Sequence, residues 1–113
     1  MNNNYHNGYL KNALIQAGIE ILSREGMEAL SLRQVARRAG VSHTAPYAHF
    51  ADKQALIAAI AAAGYQKLYE ALIAAQLSQD DPFARLMGTA HAYLQFALDE
   101  PDHFRITFSG VVE

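Results

Sequence analysis

Cysteine is absent from all 113 residues. That excludes a disulfide framework, a thiolate metal site and a cysteine nucleophile, and it suits a reducing compartment. Tryptophan is absent too, and proline occurs three times, at Pro46, Pro82 and Pro101. The longest apolar run, residues 55–65, falls well short of the ~20 residues that span a bilayer. The polar start, MNNNYHNGY, has none of the apolar core of a signal peptide. Strand-like alternation and internal repeats are missing as well. The expectation is an all-α cytoplasmic chain with no membrane partner.

What is present is uneven. Residues 1–53 carry six Lys or Arg against four Asp or Glu; residues 54–113 carry three against seven. Positive charge therefore gathers in the first half, where a phosphate-facing surface would lie.

Apolar periodicity then places six helices. Asn7 is the N-cap of the first, which runs to about Arg24 with Leu10, Leu14, Ala17, Gly18, Ile21 and Leu22 on one stripe. Gly26 stops it. Ser31 and Gln34 form an S-x-x-Q capping box, and Leu30 with Val35 a hydrophobic staple, for a second helix ending at Ala39-Gly40. Val41 inserts into the core and Ser42 caps a short third helix, about His43 to His49. Pro46 lies in its first turn, where amide donors lack partners anyway, and Tyr47 and Phe50 face the core.

Asp52 caps a fourth helix that reaches about Leu77. It is apolar nearly all round between Ala55 and Ala63, as a connector buried on more than one side should be. Asp81-Pro82 starts a fifth helix, to about Leu98, with Leu86, Ala90, Tyr93 and Ala97 at helical spacing. Asp99-Glu100-Pro101 breaks it. A sixth runs to about Phe108, and Ser109-Gly110 ends that one.

Residues 30–53 therefore read as a helix-turn-helix, whose second helix enters the major groove. Small or polar residues at its exposed start suit that task. His43 donates or accepts, Thr44 bonds a base edge or touches a thymine methyl, and Ala45 does only the latter. Arg33 reaches a base or a phosphate. Tyr47, His49 and Lys53 are placed for phosphates, which fix register.

The run LSLRQVARRAGVSHTAPYAHFADKQAL resembles the DNA-binding head of the tetracycline-repressor (TetR) family of bacterial transcription regulators. The matching elements are the leading helix ending at Gly26, Ser31-Leu32-Arg33, Val35-Ala36, Ala39-Gly40-Val41-Ser42, Tyr47, His49-Phe50, and Lys53 with Ala55-Leu56. The resemblance implies a homodimer that represses at a palindromic double-stranded operator and is released by a small-molecule inducer. It implies base contacts from Arg33, His43 and Thr44, and backbone contacts from Ser31, Tyr47, His49 and Lys53. Residues 1–53 would be the head; residues 54–113 would be the connector helix and the first helices of a ligand-binding and dimerisation domain. The dimer helices would lie beyond residue 113. Pro46 and Ala48 depart from the family pattern, which has leucine and a larger residue beside the core tyrosine.

Other readings compete. The aromatics Phe83, Tyr93, Phe96, Phe104 and Phe108 are candidates for lining a ligand pocket, but the same spacing serves plain core. His91 and His103 near Asp99 and Asp102 lie around a helix break without HExxH-type spacing, so no metal and no cofactor is expected. Neither is an enzyme, because no nucleophile–base pair and no cofactor loop is present. An all-helical protein-interaction module with no nucleic-acid role is the alternative.

Overall fold

The computed structural model describes residues 3–108, with side chains from residue 8 onward, and every regular element among them is helical. In the described residues the α-helices are α1 Asn3–Glu25, α2 Leu32–Ala39, α3 Lys53–Leu77, α4 Pro82–Asp99 and α5 Pro101–Phe108. Two 3₁₀ helices intervene, Met27–Ala29 and Ala45–Ala48. The stop expected at Ser109-Gly110 lies outside the described residues.

Helix α1 starts five residues earlier than expected, at Asn3 and not at Gly8, so Asn7 lies within it instead of capping it. Extending a nucleated helix adds one bond per residue fixed, and no proline intervenes. Its stripe is buried as the spacing requires: Leu14, Ala17, Ile21 and Leu22 are all nearly inaccessible, and Leu10 is partly covered. Leu30 and Val35 are both buried at the entry to α2. Gly40 ends α2 at φ 75°, a left-handed conformation that glycine adopts without a Cβ penalty. The Gly40 and Val41 amides both donate to Ala36 O, which closes the helix.

Helix α3 meets the expectation for a connector. It packs on α1 on one side and on α4 and α5 on the other. By length and composition it is apolar enough to cross a membrane. Its apolar residues Leu56, Ile57, Ile60, Ala61 and Leu68 are nevertheless buried among the other helices, as in any core helix of a bundle.

Helix α4 departs from expectation. Leu86, Leu94 and Leu98 are well exposed, and Tyr93 is 40 % exposed; of the residues on α4 only Phe96 is fully buried. The inward line is instead Ala84, Gly88, Ala92 and Phe96, at i, i+4 spacing. Reading periodicity from bulk selected the wrong face, because small residues let α4 approach Ala75 of α3 closely.

Helix α5 sits still closer to α3. A Cβ added at Gly64 would run into Thr107 Oγ1 and lie 2.8 Å from His103 Nε2. His103 Nε2 donates to the Ile60 carbonyl at 2.8 Å, and Thr107 Oγ donates to His103 O at 2.7 Å. Gly64→Ala should therefore be net destabilising, because overpacking costs about 1–3 kcal/mol and outweighs the ~1 kcal/mol gain in helix propensity. Gly18→Ala is the control. Its Cβ meets the flexible tip of Ile60 at 2.9 Å, so the loss should be smaller. Thermal melting of both variants checks the order; Gly64→Ala melting at or above the parent would show that α5 is not seated here.

Candidate nucleic-acid interface

Two carboxyl or hydroxyl caps frame the reading segment. Ser31 Oγ accepts from the Gln34 amide at 3.1 Å and opens α2; Asp52 Oδ1 accepts from the Ala55 amide at 2.9 Å and opens α3. Between them the chain turns at Gly40 and enters the 3₁₀ helix Ala45–Ala48.

That 3₁₀ helix corrects the expected α-helix from His43 to His49. Residue 46 has no amide hydrogen, so the Ser42 carbonyl cannot be reached by an i→i+4 bond. It accepts from Ala45 N at 3.2 Å, and Thr44 O accepts from Tyr47 N at 3.1 Å, both i→i+3. Ser42 is not the cap. Thr44 holds that position without a capping bond, and the Ser42 and Thr44 hydroxyls lie 3.3 Å apart. The change of pitch also changes which ring is buried. Pro46 is fully buried, whereas Tyr47 is 60 % exposed. Phe50 is buried as expected.

The consequence for the site is direct. Arg33 from the first turn of α2, His43 and Thr44 from the turn, and Tyr47 from the 3₁₀ helix line one open concavity. All four side chains are exposed, and Ala45 beside them is half-buried. The remaining candidates are otherwise engaged. Ser31 spends its hydroxyl on the α2 cap. Lys53 is exposed, with Nζ donating to Met27 O at 3.3 Å. His49 is half-buried, its ring tilted against Phe50, and its Nε2 is covered without a hydrogen-bond partner. Arg38 of α2 is tied to Glu20 of α1 at 3.2 Å.

Residues 14–60 match the family profile described as bacterial regulatory proteins, tetR family. Over these residues the chain is similar to the TetR family. Over 95 residues it is 33 % identical to the tetracycline repressor protein class A from transposon 1721 of Escherichia coli, covering 84 % of this chain and 43 % of that one. A protein of unknown function from Rhodococcus sp. RHA1 superposes with a TM-score of 0.80 at 39 % identity, over 88 % of this chain and 52 % of the other. A TetR family transcription regulator from Marinobacter aquaeolei VT8 shares the fold, with a TM-score of 0.72 at 23 % identity over 86 % of this chain and 51 % of its own. The chain thus spans about half the length of the relatives it matches.

Away from this face, four of the five aromatic candidates converge. Tyr93 meets Phe104 edge-on at 5.7 Å, Phe104 meets Phe108 at 4.9 Å and Phe96 at 6.1 Å. Tyr65 of α3 joins through Phe108 at 5.3 Å, a member that the spacing of α4 and α5 alone did not indicate. Phe83 stands apart, 69 % exposed in the first turn of α4.

Removing either cap should loosen the reading segment. Ser31→Ala and Asp52→Ala are each expected to cost about 1 kcal/mol, since each leaves a helix N-terminal amide without its partner. Equilibrium denaturation checks the magnitude; a loss below a few tenths in both variants would show that the caps do not hold the segment.

Proposed function

We propose that the protein is a DNA-binding transcription regulator that acts in the cytoplasm as a homodimer, represses at a palindromic operator and is released by a small molecule. The observation that carries this reading is the concavity shared by Arg33, His43, Thr44 and Tyr47. Four side chains from two elements converge on one exposed face, and each can address a base edge or a phosphate. Arg33, His43 and Thr44, with the Ala45 methyl, read bases; Ser31, Tyr47, His49 and Lys53 hold the backbone. The exposure of Tyr47, 60 %, supports its phosphate role.

One head supplies few contacts, so specific binding needs a second head at one-turn spacing. The row Leu86, Leu94 and Leu98 on α4 supports an assembly larger than this segment, since exposed apolar rows of this kind mark interaction surfaces. In this reading residues 1–53 form the reading head and residues 54–113 begin the regulatory part. The aromatic group of Tyr93, Phe96, Phe104 and Phe108 is the proposed ligand-facing wall, and Phe83 is not part of it. The name of the Escherichia coli relative, a tetracycline repressor, supports the repressor role.

Selection from a random DNA pool should return a short palindrome. Neutralising about six phosphates predicts an affinity loss of roughly a thousandfold between 50 and 200 mM salt. Lys53→Ala should weaken all sequences alike and lower the salt slope by about 1, whereas Thr44→Ala and His43→Ala should alter preference at particular base pairs. Absent or salt-insensitive binding would instead favour a protein-interaction module.

A further inference from the structure

A second concavity lies away from Arg33, His43, Thr44 and Tyr47 and away from the aromatics. It is a groove of about 640 Å³ between α1 and α3, floored by Ile15, Ile19, Ala59, Ala62 and Ala63. Its volume is that of a small-molecule site. Glu100 and His103 at the start of α5 border one part of it, and both also border an adjoining recess with Asp99 and Asp102.

His103 is the decisive residue. It is 4 % exposed, and its Nε2 lies 2.8 Å from the Ile60 carbonyl, which can only accept, so Nε2 carries the hydrogen. In the neutral tautomer with the hydrogen on Nε2, Nδ1 is an acceptor. Nδ1 is buried without a hydrogen-bond partner, and Glu100 Oε1 faces it at 3.7 Å, beyond hydrogen-bond range. In that tautomer two acceptors face each other, and a donor placed between them would satisfy both.

The charges around them favour a positive donor. Asp99, Glu100 and Asp102 supply three carboxylates. Lys67 pairs with Glu100, and Arg105, itself mostly exposed, pairs with Asp102 at 3.2 Å. Asp99 is held by the neutral Gln95 amide at 2.9 Å. The other lysine of the groove, Lys11, is eight residues from Ile19, about 12 Å along α1.

We propose that this groove binds an amine-headed aliphatic molecule, with the ammonium between His103 Nδ1 and Glu100 and the stem over Ile15, Ile19 and the alanines of α3. The Glu100 side chain gives way to admit the head, keeping its bond to Lys67. This site is distinct from the aromatic wall and does not depend on DNA binding, so its failure leaves the regulator reading standing.

The test is nuclear magnetic resonance on the protein carrying ¹⁵N-histidine and methyl-labelled alanine, titrated with n-octylammonium and, in parallel, n-octanoate. Octylammonium should shift the Ala59, Ala62 and Ala63 methyls and His103 Nδ1 saturably. Glu100→Gln should raise its Kd at least tenfold, and Ala62→Leu, a change at an exposed floor position that spares the core, should abolish the shifts. Octanoate should not saturate. The proposal is overturned if octylammonium gives no saturable shift, if its shifts fall instead on the Ala97 methyl beside Phe104 and Phe108, if octanoate binds as tightly, or if both variants bind like the parent.

Discussion

Ile60 is where the two halves of the structure meet. Its side chain is fully buried against Gly18 and Leu30, inside the core that holds the reading segment. Its carbonyl, already within a helical ladder, is also the acceptor for His103 of α5. One residue thus serves the head through its side chain and α5 through its backbone. Both contacts need small partners: Gly18 makes room for the side chain, and Gly64, one turn beyond, makes room for His103 and Thr107. A buried hydrogen bond of this kind is costly to break, because the imidazole would be left without a partner on either nitrogen.

The reading segment follows from a different constraint, the missing amide hydrogen of Pro46. It forbids the bond that would make an α-turn at Ser42, and the backbone settles for i→i+3 bonds. The tighter turn rotates the next side chain out, so proline takes the core site and tyrosine takes the surface. Tyr47 thereby shares one exposed face with Arg33, His43 and Thr44, while Phe50 stays in the core.

Much of this was legible in the chain itself, and the failures have identifiable causes. The caps at Ser31, Asp52 and Asp81, the staple of Leu30 on Val35 and the stop at Gly40 are local devices, and local devices can be read from adjacent residues. The stripe of α1 was legible because its large residues are the buried ones. The face of α4 was not, because there the buried line is made of small residues and the large ones are exposed. Tyr47 was misplaced because an α-helical pitch was assumed across a proline. The pairing of His103 with Ile60, 43 residues apart, leaves no trace in any local pattern, and neither does the clearance that Gly64 provides. Of the candidate residues, Arg33, His43, Thr44 and Tyr47 share one concavity, whereas Lys53 and Ser31 are partly occupied by the fold itself.

The spacing of these contacts along α3 bears on how the parts communicate. Asp52 starts the helix directly after the reading segment. Lys53 bonds back to Met27 in the connection between α1 and α2. The contacts of Ile60 and Gly64 follow within the next three turns, and no glycine or proline lies between Asp52 and Ile60 to absorb a bend. A displacement of α5 at Gly64 therefore reaches the head through a short, regular length of helix. The groove runs along the same length, over Ala59 to Ala63, and shares His103 with the α5 contact. Anything that fills it presses on α1 and α3 where the head is anchored, and anything that engages Glu100 draws on the ion pair that ties α5 to Lys67. Ile60 thus makes contact in both directions, through its side chain toward Gly18 of α1 and through its carbonyl toward His103 of α5.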